Sequence, residues 1–166
     1  MPTIHIRNAV PTDVPFIVSL VRELAEYERS PQDAKATDAT MHDALFGPRP
    51  AAEALIGEID GERLGIAVFF HNFSTWTCQR GVYLEDLFVR PAARGMGLGE
   101  ALLKRVAAIA VERGCPRMEW LVIDWNAPAI GFYEKLGAKQ LSQWTIHRLA
   151  GEALHAAAGV SPPGAR

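Results

Sequence analysis

Near the N-terminus the apolar positions change period. Thr3–Arg7 alternates as a short strand does. Val14, Ile17, Leu20, Val21 and Leu24 then fall at helical spacing behind Thr12, an N-cap residue type, so residues 12–28 are predicted as an amphipathic helix. Ser30–Lys35 breaks that pattern. Thr37 can cap a second, shorter helix with Met41 and Leu45 four apart, stopped by Gly47 and Pro48. A hairpin is predicted next, because the apolar runs Ala54–Ile59 and Leu64–Phe70 flank Asp60-Gly61, a strong turn pair. His71–Arg80 is polar and irregular and reads as a loop.

Gly81–Val89 is predicted as another strand, ended by Pro91 and the glycines beyond it. From Gly97 to Arg113 the residues Leu98, Ala101, Leu102, Val106, Ile109 and Ala110 make one helix face, closed by Gly114 and Pro116. Arg117–Asp124 is expected as a strand. Asn126 is expected to cap a helix through Leu136 that stops at Gly137, and Lys139–Leu149 to form a last strand or pair of strands. The order is β-α-α-β-β-β-α-β-α-β. It implies an α/β (α+β) fold with a mixed, mostly antiparallel central sheet and helices on both faces.

Composition narrows the class. The chain has 166 residues, 49% hydrophobic and 22% charged, as expected of one globular domain. We expect that domain over residues 1–156, with 157–166 as a disordered tail. No apolar run approaches the roughly 20 residues that cross a bilayer. No basic segment followed by an apolar stretch opens the chain, so a cytoplasmic location and no membrane partner are expected. Cys78 and Cys115 make neither a disulfide framework nor a zinc site, and the five histidines lack metal-ligand spacing, so no metal is expected. The formal charge of −2 argues against nucleic acid as the partner. Residues 1–89 carry 13 acidic and 7 basic residues, and residues 90–166 carry 6 and 10. The first half would suit a cationic ligand and the second an anionic one, unless the halves do not form separate surfaces.

The stretch with most chemistry is Arg94-Gly95-Met96-Gly97-Leu98-Gly99, between a strand and a helix. Glycines allow a sharp turn and close backbone approach, the N–H groups opening the helix favour an anion, and Arg94 adds a fixed charge suited to phosphate. It is not a P-loop, because Glu100 and Ala101 follow where Lys-Ser/Thr belongs. The spacing G-x-G-x-G also departs from the dinucleotide fingerprint G-x-G-x-x-G, although Glu119 sits about 20 residues on.

Arg94–Gly99 matches the R/Q-x-x-G-x-G/A motif of the GNAT superfamily of N-acetyltransferases. Tyr83-Leu84-Glu85-Asp86, Asp124-Trp125-Asn126, and Phe132-Tyr133 before Gly137-Ala138 extend the match. Leu24-Ala25-Glu26-Tyr27-Glu28 and Ser74-Thr75-Trp76 extend it further. Together they resemble the spermidine/spermine branch, especially its thialysine Nε-acetyltransferase members, over residues 4–155. The resemblance implies acetyl-CoA as co-substrate, a small primary amine as acceptor, and a homodimer. It implies Glu85 as the base, or as a holder of the amine's cationic end, and Tyr133 as the acid that protonates the departing thiolate. By the same resemblance Leu87, Phe88 and Val89 offer main-chain groups to the cofactor. Arg94, Gly95, Met96, Gly97, Leu98, Gly99 and Glu100 wrap its pyrophosphate, and Asn126 and Ala129 contact it. Tyr27, Glu28, Glu85, Glu119, Trp120 and Leu121 line the amine.

Without the resemblance, Glu85 could be an ordinary ion pair in the sheet, Tyr133 a core residue, and Tyr27 with Glu28 a solvated helix end. One departure bears on the substrate. The polyamine enzymes carry Glu-Glu-Gly just before a tryptophan, whereas here Leu141-Ser142-Gln143 runs into Trp144. A missing acidic anchor favours a shorter diamine or lysine analogue over a long polycation. Acetylation of a protein N-terminus or lysine, and a non-catalytic acyl-CoA sensor, are the competing functions.

Overall fold

The structure is a computed structural model and describes residues 2–162. The described chain falls into two compact units, one ending at Ile123 and one starting at Asp124. The first holds, in order, β1 (Ile4–Asn8), α1 (Val14–Tyr27), α2 (Asp38–Phe46), β2 (Glu53–Ile59), β3 (Glu62–Ser74), β4 (Gln79–Val89), α3 (Leu98–Glu112) and β5 (Met118–Glu119). The five strands form one sheet in sequence order, antiparallel except for the parallel pair β4–β5.

Each face of the sheet buries a different helix set. Ala54, Ile56, Ile66, Val68 and Phe88 pack under Ile17 and Leu20 of α1 and Leu45 of α2. Their strand neighbours point the other way. There Gly57 lies opposite Gly65, and a Cβ on Gly57 would come within 2.9 Å of the Leu98 side chain. These side-chain-free positions let α3 settle against the sheet with Leu98, Leu102, Val106 and Ile109 buried. Each such buried aliphatic side chain contributes roughly 1.5–3 kcal/mol.

The predicted helices and the Asp60-Gly61 turn are present. Both turn residues are left-handed, with φ of 51° and 82°, the geometry that a two-residue hairpin needs. The start of α1 differs from expectation. Thr12 lies in a 3-10 turn, Pro11–Asp13, and does not cap the helix. Asp13, 2% exposed, instead takes two hydrogen bonds from Arg7 (2.6 and 2.9 Å), one from Arg63 (3.1 Å) and one from the Val10 N–H (2.9 Å). These cations and donors hold its carboxyl down at about 2.

The region expected as a loop is mostly ladder, because β3 runs on to Ser74 and β4 begins at Gln79, pairing Phe73 with Arg80. Conversely, the strand expected over 117–124 shrinks to Met118–Glu119. Among the described residues it pairs with Val82 and Tyr83 alone, so there is no further ladder there to extend it.

In the second unit Asn126 opens α4 (Ala127–Lys135), its Oδ1 accepting from the Ala129 N–H at 3.4 Å. Gly137 turns the chain out at φ 89°. The last predicted strand is absent: residues 139–150 form neither helix nor strand. Alternation there is not matched by any paired edge, and Trp144, Ile146 and Leu149 stay exposed. A helix not predicted, α5 (Gly151–Ala158), follows and takes in residues 157 and 158 of the expected tail. Residues 163–166 of that tail lie outside the described residues.

Candidate active site

The expected strand acid sits at a break in the ladder. Asp86 pairs with Val68 and Leu84 with Phe69, which leaves Glu85 as the extra residue of a β-bulge. Simple alternation therefore fails at this point. Asp86 stays on the face of Phe88, but Leu84 crosses to the other face with Phe69. Glu85 is exposed and Asp86 half-buried.

Burial, then the charges of Glu85 and Glu28, push the Asp86 carboxyl up to about 6. Burial also raises Glu28, the residue that closes α1. Asp86 thus lies in the field of two other carboxylates, and none of the three is paired with a cation among the described residues. Tyr83, across from Phe70, is raised by burial and by Glu85 and Glu119. Asp86 is the functional candidate that sequence reasoning passed over. Strict period-two alternation along Gly81–Val89 would put the adjacent acids Glu85 and Asp86 on opposite faces, and the resemblance gives a role to Glu85 alone.

Glu119 is differently placed. It accepts from the Asn72 amide at 2.9 Å and lies 3.4 Å from Arg117, so its charge is already met. Leu121 is exposed, and Trp120 half-buried.

On the expected cofactor side, β4 pairs with β3 through Leu87, Phe88 and Val89. The pairing with β5 stops at Tyr83, so beyond that point the far edge of β4 has no strand partner among the described residues. After the 3-10 turn Pro91–Ala93, Gly95 and Gly97 adopt φ of 79° and 87°, the left-handed region that a side chain disfavours. Gly97 is the N-cap of α3 and offers no side chain to the N–H groups of Leu98, Gly99 and Glu100. Glu100 pairs with Lys104 at 2.6 Å. Met96 is exposed. An open strand edge beside an uncapped helix start suits a ligand that joins an amide-bearing arm to a pyrophosphate.

Arg94 folds back along the end of β4. Its Nε donates to the Val89 carbonyl at 3.1 Å, and its guanidinium lies 4.8 Å from the Tyr27 ring centroid and 5.6 Å from that of Phe88. In the second unit Tyr133 stands on α4 two turns after Asn126, its ring 5.2 Å from Phe132.

The profile of the Acetyltransferase (GNAT) family matches residues 17–138, and the chain belongs to that family. It is an N-acetyltransferase with the GNAT fold. The thialysine N-epsilon-acetyltransferase of Sus scrofa is 36% identical over 170 residues, covering 96% of this chain and 99% of that one. The L-ornithine N5-acetyltransferase of Arabidopsis thaliana is 34% identical, over 92% of this chain and 86% of its own. An integron cassette protein from the mobile metagenome of V. cholerae superposes with a TM-score of 0.78 at 26% identity, over 93% of this chain and 97% of its own.

Proposed function

We propose that the protein moves the acetyl group of acetyl-CoA to a primary amine of a small diamine, polyamine or lysine analogue by direct attack. The observation that carries this is the acidic trio Glu28, Glu85 and Asp86, none paired with a cation among the described residues, beside the open edge of β4. Uncompensated carboxylates suit a cationic acceptor, and the thialysine and ornithine enzymes among the relatives support the same class.

An alkylammonium of pKa about 10.4 leaves only about 1 in 2,500 as free amine at pH 7, a barrier of about 4.6 kcal/mol. Glu85 takes the amine's proton, directly or through water. Glu28 and Asp86 hold the cationic end, with Tyr27, Trp120 and Leu121 around it. Glu119, with its charge met by Asn72 and Arg117, is a wall and not an anchor. As the amine nitrogen bonds to the thioester carbon, the carbon–sulfur bond breaks, and Tyr133 gives its proton to the departing sulfur. Main-chain groups of Leu87, Phe88 and Val89 hold the pantetheine arm. Arg94 with the turn from Gly95 to Glu100 holds the pyrophosphate, and Asn126 and Ala129 also meet the cofactor. The catalytic domain spans residues 1–156, works as a homodimer and acts in the cytoplasm.

Product analysis by mass spectrometry tests the reaction. Acetyl-CoA with thialysine is expected to give one acetyl group on the side-chain amine, and a peptide substrate none. An acetylated peptide with untouched thialysine would move the protein to the protein-acetylating enzymes. Light scattering during size exclusion tests the dimer.

A further inference from the structure

Both arginines that flank the 3-10 turn leading into the glycines are anchored to one face of α1. Arg90 makes three contacts with the Glu23 carboxylate, at 2.8, 3.2 and 3.3 Å. Arg94 lies over the Tyr27 ring. Glu23 and Tyr27 are four residues apart on the helix, and Arg90 and Arg94 are four apart across the 3-10 turn Pro91–Ala93. The two pairs therefore meet rung by rung, α1 against the segment that leads into the glycines. Arg94 is also flanked by Phe88, and its Nε is tied to Val89. That bond uses one of five guanidinium donors. No other hydrogen bond to this side chain is made among the described residues.

We propose that Tyr27 is a positioning residue for Arg94, so that the last turn of α1 sets the affinity of the glycine turn for the pyrophosphate of acetyl-CoA. This rests on the reading, above, that Arg94 and the turn hold that pyrophosphate. The chemistry is preorganisation. A free arginine side chain must surrender much of its rotamer freedom to fix its fork on an anion. A guanidinium already held against an aromatic ring gives up less on binding. Tyr27 thereby acts on the cofactor side while still bordering the amine. Its neighbour Glu28, one residue on, stays with the carboxylates that face the amine.

The test is calorimetric titration with coenzyme A of wild type, Tyr27→Leu, Tyr27→Phe, Arg94→Ala and the Tyr27→Leu/Arg94→Ala pair. A cation–π contact at a partly exposed site converts to roughly a two- to fivefold change in affinity. Tyr27→Leu is expected to weaken coenzyme A by that factor. Tyr27→Phe, which keeps the ring, should restore it. In the Arg94→Ala background Tyr27→Leu should add nothing, the signature of a pair that acts as one. Pantetheine, which lacks the pyrophosphate, should compete equally well against wild type and Tyr27→Leu. Coenzyme A affinity unchanged in Tyr27→Leu, with a raised amine KM, would leave Tyr27 to the amine alone and overturn the proposal. Pantetheine weakened as much as coenzyme A would show general loosening and also overturn it. If Arg94→Ala itself leaves coenzyme A untouched, the failure lies in the pyrophosphate reading beneath it.

Discussion

Replacing Asp86 by asparagine should stabilise the free protein at neutral pH while harming catalysis. Asp86 is half-buried and feels the charges of Glu85 and Glu28, and its carboxyl is raised from 3.8 to about 6. A raised acid binds its proton more tightly folded than unfolded. Between those two values the native state carries the extra proton, so its contribution to stability falls as pH rises and is flat above about 6. Two pKa units at 1.36 kcal/mol each set the cost at up to about 3 kcal/mol at pH 7. The substituted amide would carry no charge and no such cost. Urea unfolding of both proteins from pH 4 to pH 8 measures it, and taking the difference cancels every other titrating group. The variant's advantage should be near zero at pH 4, grow through pH 5, and level off above pH 6 at roughly 1–3 kcal/mol. A difference that does not change with pH would refute the placement of Asp86 as an unpaired, desolvated acid. The amine KM should rise in the same variant, because the group that destabilises the empty site is the one assigned to the cation.

Other changes probe separate parts of the molecule. Asp13→Ala removes the acid that Arg7 and Arg63 share, and should cost about 3 kcal/mol in denaturant unfolding, as expected when a buried pair loses one partner. The Asp13 carboxyl is lowered to about 2, so its stabilisation is complete above pH 4 and lost as pH falls toward 2, the opposite sense to Asp86. Gly57→Val would drive a side chain into Leu98 and Leu102, and a loss of roughly 1–3 kcal/mol with a weakened coenzyme A affinity is expected as α3 shifts. Tyr133→Phe should lower kcat by about a hundredfold with coenzyme A affinity retained, read by steady-state turnover beside calorimetry.

What sequence alone made visible was local. The left-handed Asp60-Gly61 turn, the stripe of α3, and the glycine turn before it are each written in neighbouring residues, because periodicity and turn chemistry act over a few positions. What stayed hidden depended on partners distant in the chain. The bulge at Glu85 exists only in the register with Val68 and Phe69, so period-two alternation misplaced Leu84 and left Asp86 without a role. β5 stops at Glu119 because its ladder ends at Tyr83, a length that the apolar run beyond it does not reveal. Residues 139–150 show the converse: strand-like composition with no edge to pair does not make a strand. Tyr27 and Arg94 meet across most of the first unit, which no motif anticipates.

The most direct test of the central claim is release of coenzyme A from acetyl-CoA against a panel of amines. The panel is thialysine, lysine, ornithine, putrescine, spermidine, spermine and an N-terminal peptide. Turnover is expected with the short amines and lysine analogues, weaker with spermine, absent with the peptide, and strongly reduced in Tyr133→Phe. Tight acetyl-CoA binding with no turnover on any amine would contradict the account and make the protein a sensor of the cofactor.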